Sequence, residues 1–379
     1  LNRYQPATEA EARLAEYEKT FIAWRSLPRP TITHVTLAVD LFPRETRAVT
    51  RGSYLMENRT AAPLTEVHVR WDPSLKMTRL DLDGATVKKD HGDFHYRVYQ
   101  LATPMAPGDK RTLQFESLLE QRGFPNGAPL TRIVANGSFL DNNTIAPLIG
   151  MDLGGLLQDR AKRRKHGLPP ELRMAKLEDI GARAHQYLRH DSDWVQADLT
   201  LTTDADQQPV APGYTVSDTT QGTRRTLRTR TEAPIQHFFS MQSARYAVRQ
   251  TTWTPPGGQP VSLAVHYHPM HERNVPRMLK AIETSLDVFG ERFGSYQFRQ
   301  ARILEFPAYA GFAQAFANTM PYSEAIGFVQ AEPQEDQVDQ VTYVTAHEMA
   351  HQWWAHQVIG ADQQGATMLS ESFAQYSAM

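Results

Sequence analysis

Over long stretches of this chain apolar residues recur at every second position, and that rhythm rules out an all-helical protein. Val35, Leu37, Val39 and Leu41 alternate with polar neighbours, as do Val67, Val69 and Trp71. Such alternation turns one set of side chains to a core and the other to water, so the segment from 31 to about 150 is expected to form half-buried antiparallel strands. Asp83-Gly84 and Pro107-Gly108 supply turns between them. Strand character resumes with Val195, Ala197, Leu199 and Leu201, and runs through Arg225 to Arg230 towards about residue 255.

Two segments break the rhythm. From Thr8 to Trp24, Leu14, Tyr17, Phe21 and Trp24 fall at spacings of three and four, an amphipathic helix with Thr8 as its cap candidate. Pro28 and Pro30 stop it. Residues 151–190 form a polar excursion, expected to be helical, that gathers Arg160, Lys162, Arg163, Arg164 and Lys165. No aromatic residues interleave with this basic run for base stacking, so it reads as a solvated face and not as a nucleic-acid site.

The texture changes again near residue 256. Val261 to Tyr267 and Ile303 to Phe306 have strand character, while Asn274 to Phe293 carries Met278, Ile282, Leu286, Phe289 and Phe293 on one helical stripe. A helix is expected from Val338 to about Gln357, and another from near Leu369. With 379 residues, the chain exceeds what one core usually serves. It reads as α+β and multidomain: an N-terminal helix and linker over 1–30, a β-rich domain over 31–255, and a mixed domain over 256–379.

Composition narrows the chemistry. Forty basic residues against 42 acidic ones leave no overall field to draw nucleic acid or an anionic membrane. No apolar run approaches the roughly 18 residues of a membrane span. Cysteine is absent, so any metal must be held by histidine and carboxylate.

That ligand set is present in His347-Glu348-Met349-Ala350-His351. Residues four apart share a helix face, so His347 and His351 can point at one ion. Glu348 lies about 100° round the helix, placed to act as a general base on a water bound to zinc. After a loop containing Gly360 and Gly365, helix resumes around Leu369 to Phe373, and Glu371 is the carboxylate placed to supply the third ligand. Composition alone gives a chance His-Glu-x-x-His on the order of 0.03 per chain. His266, His268 and His271 could turn two imidazoles to one strand face, but without a carboxylate among them they read as structural and not as a second metal site.

His-Glu-Met-Ala-His-Gln-Trp-Trp at 347–354, followed by Ser370-Glu371-Ser372-Phe373-Ala374-Gln375-Tyr376, resembles the aminopeptidase N family of gluzincins. The resemblance implies a saddle-shaped β domain followed by a thermolysin-like catalytic domain, one zinc ion on His347, His351 and Glu371, Glu348 as base, and peptides as substrates. It is nearest to the peptidase-like domain of bacterial membrane proteins fused to ABC-transporter permease segments, which implies an extracytoplasmic face and membrane segments in a larger parent.

Three departures qualify it. Nineteen residues separate His351 from Glu371, where the family has eighteen. The family's Gly-x-Met-Glu-Asn strand, whose Glu binds a free α-amine, should fall at Gly311-Phe312-Ala313-Gln314-Ala315, which contains no acid. Gln314 or Ala315 occupies its place, depending on a one-residue shift, and Glu324 matches a later family Glu that could compensate. The family's oxyanion tyrosine lies well beyond the third ligand, so the chain, which runs from Leu1 to Met379, is expected to be the C-terminally incomplete part of a longer protein and a poor catalyst alone. Two functions follow as expectations: a zinc aminopeptidase, or a zinc-binding peptide-binding domain with little turnover.

Overall fold

Alternating residues are buried as their spacing dictates. Val35, Leu37, Val39 and Leu41 line the inner face of the strand Thr31–Phe42, and Val195, Ala197, Leu199 and Leu201 that of Ser192–Asp204. In the computed structural model, which describes residues 6–123 and 131–379, these strands lie side by side within the largest sheet. Its order is Tyr214–Gln221, Arg224–Arg230, Ser192–Asp204, Thr31–Phe42, Arg47–Glu57, Lys110–Glu120 and Leu75–Leu82. The two strands just described run parallel, Val35 against Ala197 and Leu37 against Leu199. Among the described residues the strands of 31–150 pair antiparallel with one another, as expected; the parallel partner comes from outside that segment, since alternation specifies which face is buried and not which way a distant partner runs.

Ala85–His91, Tyr96–Met105, Leu64–Arg70 and Leu148–Ile149 make a second sheet. Both expected turns occur, with Gly84 at φ +66° and Gly108 at φ +87°, a region that glycine enters without steric cost. One apolar core joins the two sheets.

The polar excursion is less helical than its composition suggests. It holds a six-residue helix, Arg160–Lys165, and a 3-10 turn, Ile180–Ala184. Gly167 at φ +66° and the pair Pro169-Pro170 end the helix at once. Its basic run is engaged locally: Arg163 is buried and forks onto Glu18 at 2.6 and 2.7 Å, Lys165 reaches Glu11 at 2.8 Å, and Arg160 reaches Glu171 at 3.3 Å. Glu11 and Glu18 belong to the N-terminal helix Ala7–Phe21, so the run straps that helix down. Thr8 lies inside its first turn and is not the cap. The carbonyl of Pro6 takes the first amides, and no side chain caps them.

Gln208–Val210, Ser240–Ala244 and Ser138–Asp141 make a small third sheet, and a four-stranded one carries the site. It orders Ala247–Trp253, Val261–Tyr267, Gln300–Phe306 and Thr319–Ser323, the first pair antiparallel and the others parallel. Ala247–Trp253, on the N-terminal side of the boundary expected at 255, pairs along its whole length with Val261–Tyr267. The helix Val275–Phe293 buries Met278, Ile282, Leu286 and Phe289 in a core shared with Val265 and Ile303 of the sheet. Met349, Ala350 and Trp353 enter the same core, seating the second helix, Gln340–Ala350. Among the described residues no helix is long and apolar enough to cross a membrane.

Candidate metal centre

The helix Gln340–Ala350 begins at Asp339, whose carboxylate accepts from the amides of Val341 and Thr342 at 3.1 and 3.3 Å, a side-chain cap. The sequence predicts a helix to about Gln357, but it ends at Ala350, with His351 as its C-cap in the αR region. Side-chain demands beyond it explain the stop. Gln352 is wholly buried, donating to Phe316 O at 3.0 Å and accepting from Asn318 N at 2.8 Å. The Trp353 indole donates to Gly294 O at 2.8 Å, and Ala355 sits at φ +150°, where no α-helix continues.

Four positions apart, the two imidazoles meet as helix geometry requires: His347 Nε2 lies 3.2 Å from His351 Nε2. Glu371 arrives from the wide π turn Met368–Ser372, which leads into the helix Phe373–Ser377. A π turn takes one more residue than an α turn, so Glu371 comes round one position later than on an α-helix. Glu371 Oε2 stands 3.6 Å from both Nε2 atoms.

The set fits a tetrahedral ion, whose ligands at about 2.0–2.1 Å would lie about 3.3 Å apart. The donor pattern agrees. His351 Nδ1 faces the Trp354 carbonyl at 3.0 Å, which places the proton there and leaves Nε2 as a lone pair. The Glu371 side chain is 60% exposed, so the centre is open on that side.

Electrostatics follow from the crowding. Attraction to His347 and then His351, each 3.6 Å away, holds the Glu371 carboxyl well below the usual carboxylate range. Burial works against a charged His351, but Glu371, Glu348 and the Trp354 carbonyl outweigh it and raise its pKa. Glu348 is only 6% exposed, and burial raises its pKa against the pull of His351 and His347. The backbone of Ala315, beside its carboxylate, also favours the charged form.

Ala315 belongs to an edge segment that folds back on Thr319–Ser323 through bridges from Ala313 to Tyr322 and from Phe316 to Thr319. Gln314 lies on this segment, half-buried, its amide donating to Pro321 O at 3.1 Å. Besides Gln352, His356 ties the segment to the metal helix through Nε2 on Ala315 O at 3.2 Å. Neither tie is readable locally, since the partners lie some forty positions upstream.

Glu324 directly follows the strand Thr319–Ser323. Its carboxylate accepts from Ala308 N at 2.9 Å and lies with His271 and Glu305 in a group whose ligand atoms are all within 4.8 Å of one another. Of the three histidines considered together in the sequence, only His271 joins this group. His268 donates its backbone amide to Glu305, and His266 is enclosed beside Tyr246, its pKa pushed down to about 3 by burial.

No model of a known protein family matches the sequence, and no curated protein is significantly similar to it. Solved structures do match. An M1 zinc metallopeptidase from Deinococcus radiodurans superposes with a TM-score of 0.61 at 15% identity, covering 96% of this chain and 73% of that one. A mutant of a two-domain M1 zinc metallopeptidase bound to L-arginine gives 0.62 at 15% identity over 92% and 70%. A mutant of the Deinococcus radiodurans enzyme bound to a Tyr-Ser-Ala substrate gives 0.58 at 16% identity over 94% and 73%. The architecture is therefore a mixed α+β, multidomain one. In particular, it is at a coarse level the two-domain fold of M1 zinc metallopeptidases.

Proposed function

We propose that the chain is a zinc-dependent metallopeptidase of aminopeptidase type, with one zinc ion on His347, His351 and Glu371 and with Glu348 as general base. The observation that carries this reading is the convergence of two Nε2 atoms and one carboxylate beside a buried Glu348. Zinc, when bound, supplies Lewis acidity that polarises a carbonyl and makes water nucleophilic near neutral pH. The protein's own groups do the rest. The Trp354 carbonyl keeps His351 in the ligating tautomer. Glu348, its basicity raised by burial, takes a proton from water and returns it to the leaving amine.

The edge segment 313–316 runs beside Glu348 and offers an extended backbone against which a peptide can align. Peptide substrates also suit the ligands named for the fold's neighbours, a Tyr-Ser-Ala substrate and L-arginine. Gln314 and Glu324 are the positions assigned to substrate contact. A neutral Gln314 cannot form an ion pair with an α-ammonium group, so the demand for a free N-terminus is relaxed.

The test compares amino-acyl and amine-blocked fluorogenic peptides on zinc-loaded protein. The proposal predicts zinc-dependent cleavage that falls about 10²- to 10⁴-fold in Glu348→Ala. Equal rates in wild type and Glu348→Ala contradict it. Gln314 also favours a second reading, a zinc-binding peptide-binding domain of a membrane transporter. That reading predicts zinc-dependent peptide binding without cleavage, unchanged in Glu348→Ala.

A further inference from the structure

Away from the metal centre, a cavity of about 1120 Å³ opens between the N-terminal helix, the strand end at Arg70 and the excursion 151–190. It is as large as a small-molecule site needs. Its wall is rich in arginine, and what distinguishes those arginines is which of them have counterions.

Two are already paired. Arg163 is committed to Glu18, and Arg189 forks onto Asp191 at 2.7 and 2.8 Å. Asp191 also accepts the Ile149 amide at 2.9 Å, so its oxygens have little left to offer. Arg70 meets Asp152 through Nη1 at 3.5 Å, while its Nε is enclosed with no partner.

Arg29 has no carboxylate within ion-pair distance among the described residues, and donates only to the Arg25 carbonyl, at 3.0 Å. Its place is nevertheless built. Pro30 restricts Arg29 to extended backbone. Across the gap stands Gly150 at φ +88°, where a Cβ would come within 2.5 Å of Arg29 Nη1, so glycine leaves room for the guanidinium.

The surroundings add to the positive field. Burial lowers the pKa of Arg29; Asp191, beyond ion-pair distance, and Tyr96 offset part of this, and Arg70 adds to it. Arg29 in turn depresses His68, His185 and His190, behind the burial that shifts each of them most. A desolvated guanidinium facing another cation across a cavity is stabilised by an anion between them.

We propose that this cavity binds a small oxyanion, a carboxylate or a phosphate, held between Arg29 and Arg70. Both guanidiniums offer the forked donors that such groups match. The site adjoins the metal centre without overlapping it: Tyr187 lines the cavity and its hydroxyl meets Ser370 Oγ at 2.6 Å, one residue before Glu371. The inference is independent of the peptidase reading, since nothing in it requires metal or turnover.

The test is arginine modification by phenylglyoxal on the intact chain, mapped by mass spectrometry. It is run alone and with inorganic phosphate, succinate, or a tripeptide as free acid or amide. Bound oxyanion should slow modification of Arg29 and Arg70 about fivefold or more while leaving the exposed Arg292 unchanged. Protection by phosphate or succinate marks a free anion as ligand, and protection by the tripeptide acid but not its amide marks a peptide carboxylate. Calorimetry on Arg29→Gln should show binding weakened about tenfold or more. The mapped protection needs only wild-type protein, so a variant that fails to fold does not decide the matter. Unchanged modification of Arg29 with all four probes overturns the proposal.

Discussion

His237 shows how a single buried side chain can set the acid limit of this fold. It is fully buried beside Arg189, and neither ring nitrogen has a hydrogen-bond partner. Burial, reinforced by Arg189, holds its pKa well below the ordinary value. The unfolded chain therefore binds a proton here that the native chain does not. The stability this group contributes is complete above the unfolded pKa of about 6.5 and is lost as pH falls below it. Each pH unit below that point should cost up to ~1.4 kcal/mol at this residue. Urea titrations from pH 7 to 4.5 should give a shallower acid loss in His237→Phe than in wild type, and parallel curves would contradict this. Legibility in the sequence divides at this scale by distance along the chain. His347, Glu348 and His351 are readable because one helical turn relates them. His237 and Gln352 owe their roles to surroundings that only the folded chain assembles.

At the scale of elements, periodicity located most of what holds the site. The strand Val261–Tyr267 and the helix Val275–Phe293 lie where their patterns put them, because each buries one continuous apolar face. The ends of the metal helix were less legible. Its start depends on Asp339, which caps two amides and also pairs with Arg277 at 3.1 Å. Its end depends on burying Gln352 and Trp353. Asp339→Ala should destabilise the protein by ~1–2 kcal/mol through loss of the cap, read as a lower denaturation midpoint with an unchanged m-value. An unaltered midpoint would show that packing alone starts the helix. The parallel pairing of Thr31–Phe42 with Ser192–Asp204 had no local signal, since direction is decided by the long connection between them.

Across the whole molecule, near-neutral charge conceals a strongly structured distribution. Arg163 and Lys165 of the excursion bind acids of the N-terminal helix, the Arg189–Asp191 pair is buried, and Arg29 and Arg70 face an open cavity. The metal centre is equally a product of the whole fold. Two ligands come from a helix seated on the site-bearing sheet, and the third comes from a π turn that returns to it twenty residues later. What these three side chains bind decides the function of the site. Purified chain, saturated with zinc and freed of excess, should carry one ion per molecule by elemental analysis, and His347→Ala and Glu371→Ala should each lose most of it, with affinity down about 10²-fold or more. Equal zinc in wild type and His347→Ala would contradict the assignment.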